Sequence, residues 1–170
     1  MTAVNHDQKG RIEALFRRHA ADVLVYATRR GATKAEAEDV LAETFLIAWR
    51  RLEDVPSDAL PWLLGVARKI LANQARSRRR RAALLARINV FGGLTEAEAD
   101  PFESSDLSDE VRDALLKLSY TDREALLLVA WEGLTHEEAA QALGLTRKGF
   151  SRRVSRARLR LLRHFRSVRT

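Results

Sequence analysis

Apolar residues recur at spacings of three and four along most of this chain, which predicts amphipathic helices and almost no strand. The first predicted helix covers residues 8–30, and its apolar face consists of Ile12, Leu15, Phe16, Val23, Leu24 and Ala27. The second begins at Thr33 and Glu36, which match a capping box, and ends before Pro56. Its predicted inward face consists of Ala37, Val40, Leu41, Phe45, Ala48, Trp49 and Leu52.

A third helix is predicted to have Pro61 in its first turn, which does not need the N–H that proline lacks. Its apolar stripe consists of Leu64, Ala67, Ile70, Leu71 and Ala75. The helix ends in a run of five arginines within residues 76–81. Because amphipathic helices bury their stripes by packing together, we predict a first domain, a small helical bundle, at residues 8–85.

The helical period fails after Asn89, where two glycines, a proline and several acidic residues follow. Such composition is typical of a flexible linker, and we place an acidic linker at residues 86–106. A second helical domain is predicted at residues 107–166. Its first helix is marked by Val111, Leu115 and Leu118. Thr121 and Glu124 are predicted to cap the next helix as a second capping box.

Two helices near the C-terminal end are joined by a short turn that contains Gly144. Thr135 and Glu138 give a capping box at the start of the first of them. Gly144 then ends this helix in a left-handed conformation, and Thr146 caps the final helix. So short a glycine-containing connection is typical of a helix-turn-helix. The predicted framework consists of Thr135, Glu138, Ala139, Leu143, Gly144, Phe150 and Val154.

The final helix separates an apolar face from a basic one. The packing face consists of Phe150, Val154, Ala157 and Leu161. The opposite face and its flanks present Thr146, Arg147, Lys148, Ser151, Arg152, Arg153, Ser155, Arg156 and Arg158. Guanidinium groups bind phosphates and guanine edges in a major groove that admits one helix, so this face is predicted to bind DNA. The alternative is a solvated basic helix end, which the helix dipole favours by itself.

The charges are distributed in blocks that match this organisation. Of 170 residues, 30 are Lys or Arg and 23 are Asp or Glu, a net charge of +7. Residues 1–81 carry 16 basic and 10 acidic side chains, residues 82–106 carry 1 and 5, and residues 107–170 carry 13 and 8. Two basic blocks therefore flank an acidic spacer, and their sign favours a polyanionic partner such as nucleic acid.

The chain lacks the residues that several kinds of function require. The chain has no Cys, hence neither disulfides nor thiolate metal ligands. Its four His, at positions 6, 19, 136 and 164, are scattered, and His136 is expected to be exposed. With no phosphate-binding glycine loop or isolated carboxylate pair, we expect no catalysis, cofactor or metal. Without a signal peptide, or an apolar run of the roughly 20 residues that span a bilayer, we expect a cytoplasmic protein.

Five stretches of the chain form a more specific pattern. They are residues 37–50 (AEDVLAETFLIAWR), 60–69 (LPWLLGVARK), 118–124 (LSYTDRE), 132–140 (EGLTHEEAA) and 153–158 (RVSRAR). Together they resemble the group IV, or extracytoplasmic-function, sigma factors of the sigma-70 family, and the likeness covers nearly the whole chain. It implies an all-α protein with two small domains: sigma domain 2, of three to four helices, and sigma domain 4, of four helices with a helix-turn-helix.

The resemblance also implies a role for each surface of an initiation factor that directs RNA polymerase to promoters. Residues for the clamp helices of the largest core polymerase subunit would be Asp39, Glu43, Phe45 and Trp49. Residues for the minus-10 element would be Trp62, Arg68, Lys69, Asn73, Arg76, Arg79 and Arg80. The basic face of the final helix would bind the minus-35 element. The family further implies control by an anti-sigma factor, as in stress responses.

The sequence departs from the family pattern at two places, the start of the final helix and Asn73. The final helix begins Arg147-Lys148-Gly149-Phe150 where a small residue followed by Thr-Val is more usual, so a promoter preference does not carry over. Asn73 stands where many members have an acidic residue, which leaves the details of the minus-10 contact open.

Other interpretations of these residues stay open. Trp62 fits core packing as well as it fits base stacking. Carboxylates favour a helix N-terminus, which accounts for Glu36 and Glu38 but reaches Glu43 poorly. The competing functions are a helix-turn-helix repressor or activator that binds DNA as a dimer, and an adaptor whose first domain binds only protein. The arginine run of the first domain argues against the dimeric regulator, whereas DNA contacts confined to the second domain would favour the adaptor.

Overall fold

The computed structural model describes residues 2–88, 102 and 107–168, with side chains described for residues 7–84, 102 and 107–165. Every regular element in these ranges is helical, which confirms the all-α prediction. The helices are α1 (Thr2–Thr28), α2 (Lys34–Arg50), a short 3-10 helix (Leu52–Asp54), α3 (Leu60–Ile88), α4 (Asp109–Leu116), α5 (Tyr120–Ala130), α6 (His136–Leu143) and α7 (Arg147–Val168). No helix in the described ranges has the length and apolarity to cross a membrane.

The chain divides into two compact units, Met1–Ser57 with Val66–Ser104, and Asp58–Gly65 with Ser105–Thr170. The first turns of α3 thus group with the second unit, and α3 itself continues to Ile88, past the arginine run in which it was predicted to end. The bounds drawn from the sequence, 8–85, 86–106 and 107–166, therefore remain predictions.

Most of the predicted acidic linker lies outside the described residues. Its one described member beyond the end of α3 is Phe102, which is 1% exposed. Because a phenylalanine buries a large apolar area, this residue is held by packing even though the surrounding composition is typical of a flexible segment.

In the first unit, α1 packs against α2. The buried residues include Val23, Tyr26 and Ala27 of α1 and Val40 and Ala48 of α2. The capping box predicted for α2 is confirmed. Thr33 Oγ1 accepts from Glu36 N at 3.3 Å, and the Thr33 N–H donates to Glu36 Oε2 at 2.8 Å.

Phe16 and Trp49 were predicted to face inward, and this was wrong. Their exposed fractions are 44% and 51%, and the neighbouring Leu46 is 48% exposed. At 3.6 residues per turn, a step of four residues rotates a side chain about 40° past a full turn. Trp49 is therefore displaced by that angle from the buried Phe45, and it lies at the edge of the stripe rather than at its centre.

In the second unit, α7 is the central helix and contacts α4, α5 and α6. Its predicted packing face is confirmed at Phe150, Val154 and Ala157, none of which is more than 1% exposed. Opposite it, the apolar run of α5 is buried from Ala125 to Leu128.

The capping box predicted at Thr121 and Glu124 was wrong. Ser119 is the N-cap of α5, and its hydroxyl accepts from Asp122 N at 3.2 Å, so the helix begins two residues earlier than predicted. Thr121 therefore lies inside the first turn, and Glu124 is 3% exposed instead of reaching back over the helix end. A serine in extended conformation competes with threonine for this position on nearly equal terms.

Candidate nucleic-acid interface

The turn between α6 and α7 has the geometry of a helix-turn-helix. At the start of α6, Glu138 N donates to Thr135 Oγ1 at 3.3 Å and Thr135 N donates to Glu138 Oε2 at 2.6 Å. Gly144 ends α6 with φ 65° and ψ 36°, a left-handed conformation that disfavours side chains with a Cβ. Two residues later, Thr146 caps α7 by accepting from Gly149 N at 3.1 Å.

The predicted framework of this turn falls into two groups. Ala139, Phe150 and Val154 are at most 1% exposed and hold the two helices together, and Leu143 is half-buried beside them. Thr135, Glu138 and Gly144 set the helix ends instead. The direction in which α7 leaves the turn is thus fixed by both packing and backbone conformation.

One side of α7 is basic and open to solvent. Its exposed members are Thr146, Arg147, Lys148, Arg152, Ser155, Arg156 and Arg158, whereas Ser151 is half-buried. Arg147 Nε lies 3.9 Å from Glu137 Oε2, but both side chains are more than 70% exposed, so this pair binds weakly. The positive charge of the face is therefore largely available to a polyanion.

Arg153 is placed differently from the rest of the predicted DNA-binding set. Its Nη1 lies 3.7 Å from Oδ1 of Asp122, whose side chain is only 7% exposed. Arg160, which was not singled out from the sequence, pairs with Oδ2 of the same carboxylate. Arg153 thus ties α7 to α5, and its role in DNA binding stays a prediction.

His136 was expected to be exposed, and this was wrong. It is half-buried, and its Nδ1 lies 2.9 Å from Oγ of Ser151 on the basic side of α7. Nothing in the local sequence identifies this contact, because it joins residues 15 apart and depends on the angle at which α7 crosses α6.

The second predicted DNA-binding set lies along α3. Lys69, Asn73, Arg76, Arg79 and Arg80 are exposed, and Trp62 and Arg68 are half-buried. Steps of four, three and four place Lys69, Asn73, Arg76 and Arg80 on one side of the helix. Arg76 also donates to Asn73 Oδ1, so the two side chains act as a unit.

Arg78 belongs to the arginine run but not to the predicted minus-10 set. It pairs with Glu36 Oε1, across 42 residues, and so joins α3 to the start of α2. The N–H that Thr33 donates, with the charge of Arg78, holds the pKa of Glu36 below its ordinary value against the opposing effect of burial. The side chain and backbone of Thr135 likewise lower the pKa of Glu138.

An apolar groove of about 600 Å³ runs between α1 and α2. It is lined by Ile12, Glu13, Phe16, Arg17, Ala42, Phe45, Leu46 and Trp49. Phe16 and Phe45 meet edge to face with ring centroids 4.9 Å apart. Exposed apolar area of this kind marks a binding surface.

The four residues predicted to bind core polymerase occupy different places around this groove. Trp49 is exposed in its lining, whereas Phe45 is 6% exposed and forms its wall. Asp39 and Glu43 are exposed on the same helix. Phe16 and Leu46 were not predicted to bind; the sequence signal for them is the surplus of apolar positions at the edges of both stripes. Among the described residues, no three His, Asp or Glu side chains form a metal-binding group.

Both halves of the chain match known family regions. Residues 15–81, from the middle of α1 into the arginine run of α3, match sigma-70 region 2. Residues 108–161 match sigma-70 region 4. The RNA polymerase sigma factor NccH of Alcaligenes xylosoxydans xylosoxydans is 30% identical over 153 residues, which cover 86% of this chain and 82% of NccH. The ECF RNA polymerase sigma factor SigL of Mycobacterium tuberculosis is 33% identical over 143 residues, with coverage of 79% and 77%.

A solved structure supports the same relationship. The sigma factor RpoE from Bartonella quintana, crystallised in complex with the anti-sigma factor NepR, matches with a TM-score of 0.63 at 26% identity. The match covers 91% of this chain and 96% of RpoE. Since both family regions coincide with the helical segments described above, and relatives are similar along most of the length, the chain belongs to the extracytoplasmic-function RNA polymerase sigma factors of the sigma-70 family.

Proposed function

We propose that this sigma factor directs core RNA polymerase to promoters through three surfaces of its own. The groove between α1 and α2 binds the polymerase, the basic side of α3 binds the minus-10 element, and the basic side of α7 binds the minus-35 element. The observation that carries the proposal is the open basic side of α7, positioned by a helix-turn-helix and with no acidic residue in its sequence.

The minus-35 contact follows from the shape and charge of α7. A B-DNA major groove admits one α-helix, and Arg or Lys side chains bind phosphates as well as the O6 and N7 atoms of guanine. Arg147 and Lys148 lie in the first turn of α7, where recognition helices contact base edges. Arg152, Arg156 and Arg158 lie further along and suit phosphate contacts.

The minus-10 contact requires a strand to be held by its backbone while bases leave the stack. Exposed Lys69, Arg76 and Arg80 supply positive charge along one side of α3. Single-stranded DNA also binds flat side chains by stacking, which is the role we propose for Trp62. Arg78 contributes indirectly here, because its pairing with Glu36 links this part of α3 to the start of α2.

The polymerase contact combines apolar area with charge. Phe16, Leu46 and Trp49 expose apolar surface around the groove. Asp39 and Glu43 expose carboxylates on the same helix as Trp49. Aromatic anchors with a polar rim are typical of protein interfaces, so this arrangement suits the clamp helices of the largest polymerase subunit.

An anti-sigma factor is the further partner we propose. NepR is bound to the sigma factor RpoE in the matching crystal structure, and an exposed apolar groove offers a protein partner of this kind apolar area to bury. We also propose that the factor acts in the cytoplasm, where core polymerase and promoters are, and that it is not an enzyme.

Run-off transcription with purified core RNA polymerase and a pool of genomic promoter fragments tests this proposal. We expect discrete transcripts that depend on the factor and that disappear when Arg152 and Arg156 are both replaced by Ala. The Lys117→Ala variant removes one exposed charge from the end of α4 and should transcribe normally. Sequence-specific duplex binding without any transcript would contradict the proposal and favour a dimeric helix-turn-helix regulator.

A further inference from the structure

His136 and Ser151 join the two helices of the helix-turn-helix by a side-chain hydrogen bond. His136 is the first residue of α6, and its Nδ1 lies 2.9 Å from Ser151 Oγ on α7. The imidazole also meets the ring of Phe150 edge to face, with centroids 5.4 Å apart and planes at 72°. Since Phe150 is fully buried, it anchors the position of the imidazole.

Ser151 lies on the side of α7 that we propose to bind duplex DNA, between Lys148 and Arg152 in sequence. A free serine hydroxyl rotates and offers either a donor or acceptors, so it matches several bases. One turn further along, Ser155 Oγ donates its hydroxyl proton to the Ser151 carbonyl oxygen at 3.0 Å, so this proton is not available to DNA. The hydroxyl of Ser151 is fixed instead by a residue of the neighbouring helix.

We infer that His136 is a positioning residue that sets base preference in the minus-35 element. In this arrangement Nδ1 accepts the Ser151 proton, so the serine presents only the lone pairs of its oxygen, an acceptor, to the base pair that it faces. His136 itself need not touch DNA. This inference rests on the proposed function of α7 and adds to it a residue that lies outside the basic set.

A double-mutant cycle tests the coupling on the full-length chain, assembled with core polymerase. The probe is a duplex selected by the wild-type holoenzyme from a pool randomised over the minus-35 region. We expect His136→Ala and Ser151→Ala each to weaken binding about five-fold, the value of one hydrogen bond of about 1 kcal/mol. The double variant should bind no worse than either single variant, because both changes remove the same interaction.

A repeated selection with each variant separates positioning from a general loss of structure. We expect His136→Ala and Ser151→Ala to relax base preference at the same base pair and to leave the other positions and the salt dependence unchanged. His136→Asn should restore the preference. The Oδ1 atom of asparagine, like Nδ1 of histidine, is two bonds from Cβ and can accept the Ser151 hydroxyl. Gln141→Ala, an exposed change on α6, serves as the control with wild-type behaviour.

Additive losses in the cycle, or relaxed preference at different base pairs, would overturn the inference. The same holds if His136→Ala keeps the affinity and the preference of the wild type. These outcomes differ from failure of the proposed function, in which the wild-type holoenzyme selects no minus-35 sequence and Arg152→Ala has no effect on binding.

Discussion

Arg153 on α7 forms an ion pair with the buried carboxylate of Asp122 on α5. Arg153 Nη1 lies 3.7 Å from Asp122 Oδ1, and Arg160 pairs with the second carboxylate oxygen. The Asp122 side chain is 7% exposed, whereas those of Arg153 and Arg160 are 28% and 52% exposed. The basic side of α7 is therefore oriented by an acidic residue of α5, the helix against which α7 packs.

Replacing Asp122 with Ala should lower the free energy of unfolding of the second unit by about 1.5 kcal/mol. A hydrogen bond to a charged group contributes about 1.5 to 3 kcal/mol, and the value lies at the low end because both guanidiniums reach water. Equilibrium unfolding in urea, which is uncharged and does not screen ion pairs, measures this change. Asp113→Ala, an exposed change on α4, is the control, and an equal small effect of both variants would contradict the structural role of Asp122.

The stability of the first unit should depend on pH through Glu36. Because the folded pKa of Glu36 lies below its unfolded value, its ionised form stabilises the fold above pH 4.5. This contribution is lost as the pH falls through the folded pKa. The stability difference between the wild type and Glu36→Gln should therefore shrink as the pH is lowered from about 5 to about 3.

Urea unfolding at a series of pH values measures this difference. Glu43→Gln is the matched control, since Glu43 is on the same helix but outside the capping box. The prediction fails if the two variants differ from the wild type by the same amount at every pH.

Arg152 and Arg156 should each contribute to the salt dependence of minus-35 binding. Each phosphate contact releases condensed counterions, so replacing one arginine with Ala should reduce the slope of log K against log salt by up to about one unit. Fluorescence anisotropy of a labelled duplex, titrated at several salt concentrations, gives the slope. Lys117→Ala should leave the slope unchanged. An unchanged slope for Arg152→Ala and Arg156→Ala would mean that DNA binds another surface of the protein.

Trp49 should be an anchor of the polymerase interface. It is 51% exposed beside the groove, and a buried interface tryptophan typically contributes at least about 2 kcal/mol, or more than ten-fold in affinity. Trp49→Ala should weaken binding to core polymerase by at least this factor in a competition assay, without loss of helix content. Val25→Ala changes an apolar side chain of similar exposure on α1 and should bind normally; equal binding of both variants would contradict the assignment.

Most local structure could be predicted because it depends on residues close together in the chain. The capping boxes at Thr33 and Thr135 and the left-handed Gly144 involve four or fewer neighbouring residues. The packing face of α7 follows from the helical period alone. The one capping prediction that failed, at Thr121, failed because Ser119 offered an equivalent hydroxyl two residues earlier.

The sequence by itself determined the helices, the helix-turn-helix and the family. Periodicity, capping and motif spacing all depend on residues that are close together in the chain. Only the tertiary structure decided which residues at the edge of each stripe stay exposed, as with Phe16 and Trp49. It also decided the partners of charged and polar groups, as in Glu36 with Arg78 and His136 with Ser151. Such pairs join residues that are distant in the sequence, and they depend on the angles at which helices cross. Those angles are set by side-chain packing between helices, which the local sequence pattern does not specify.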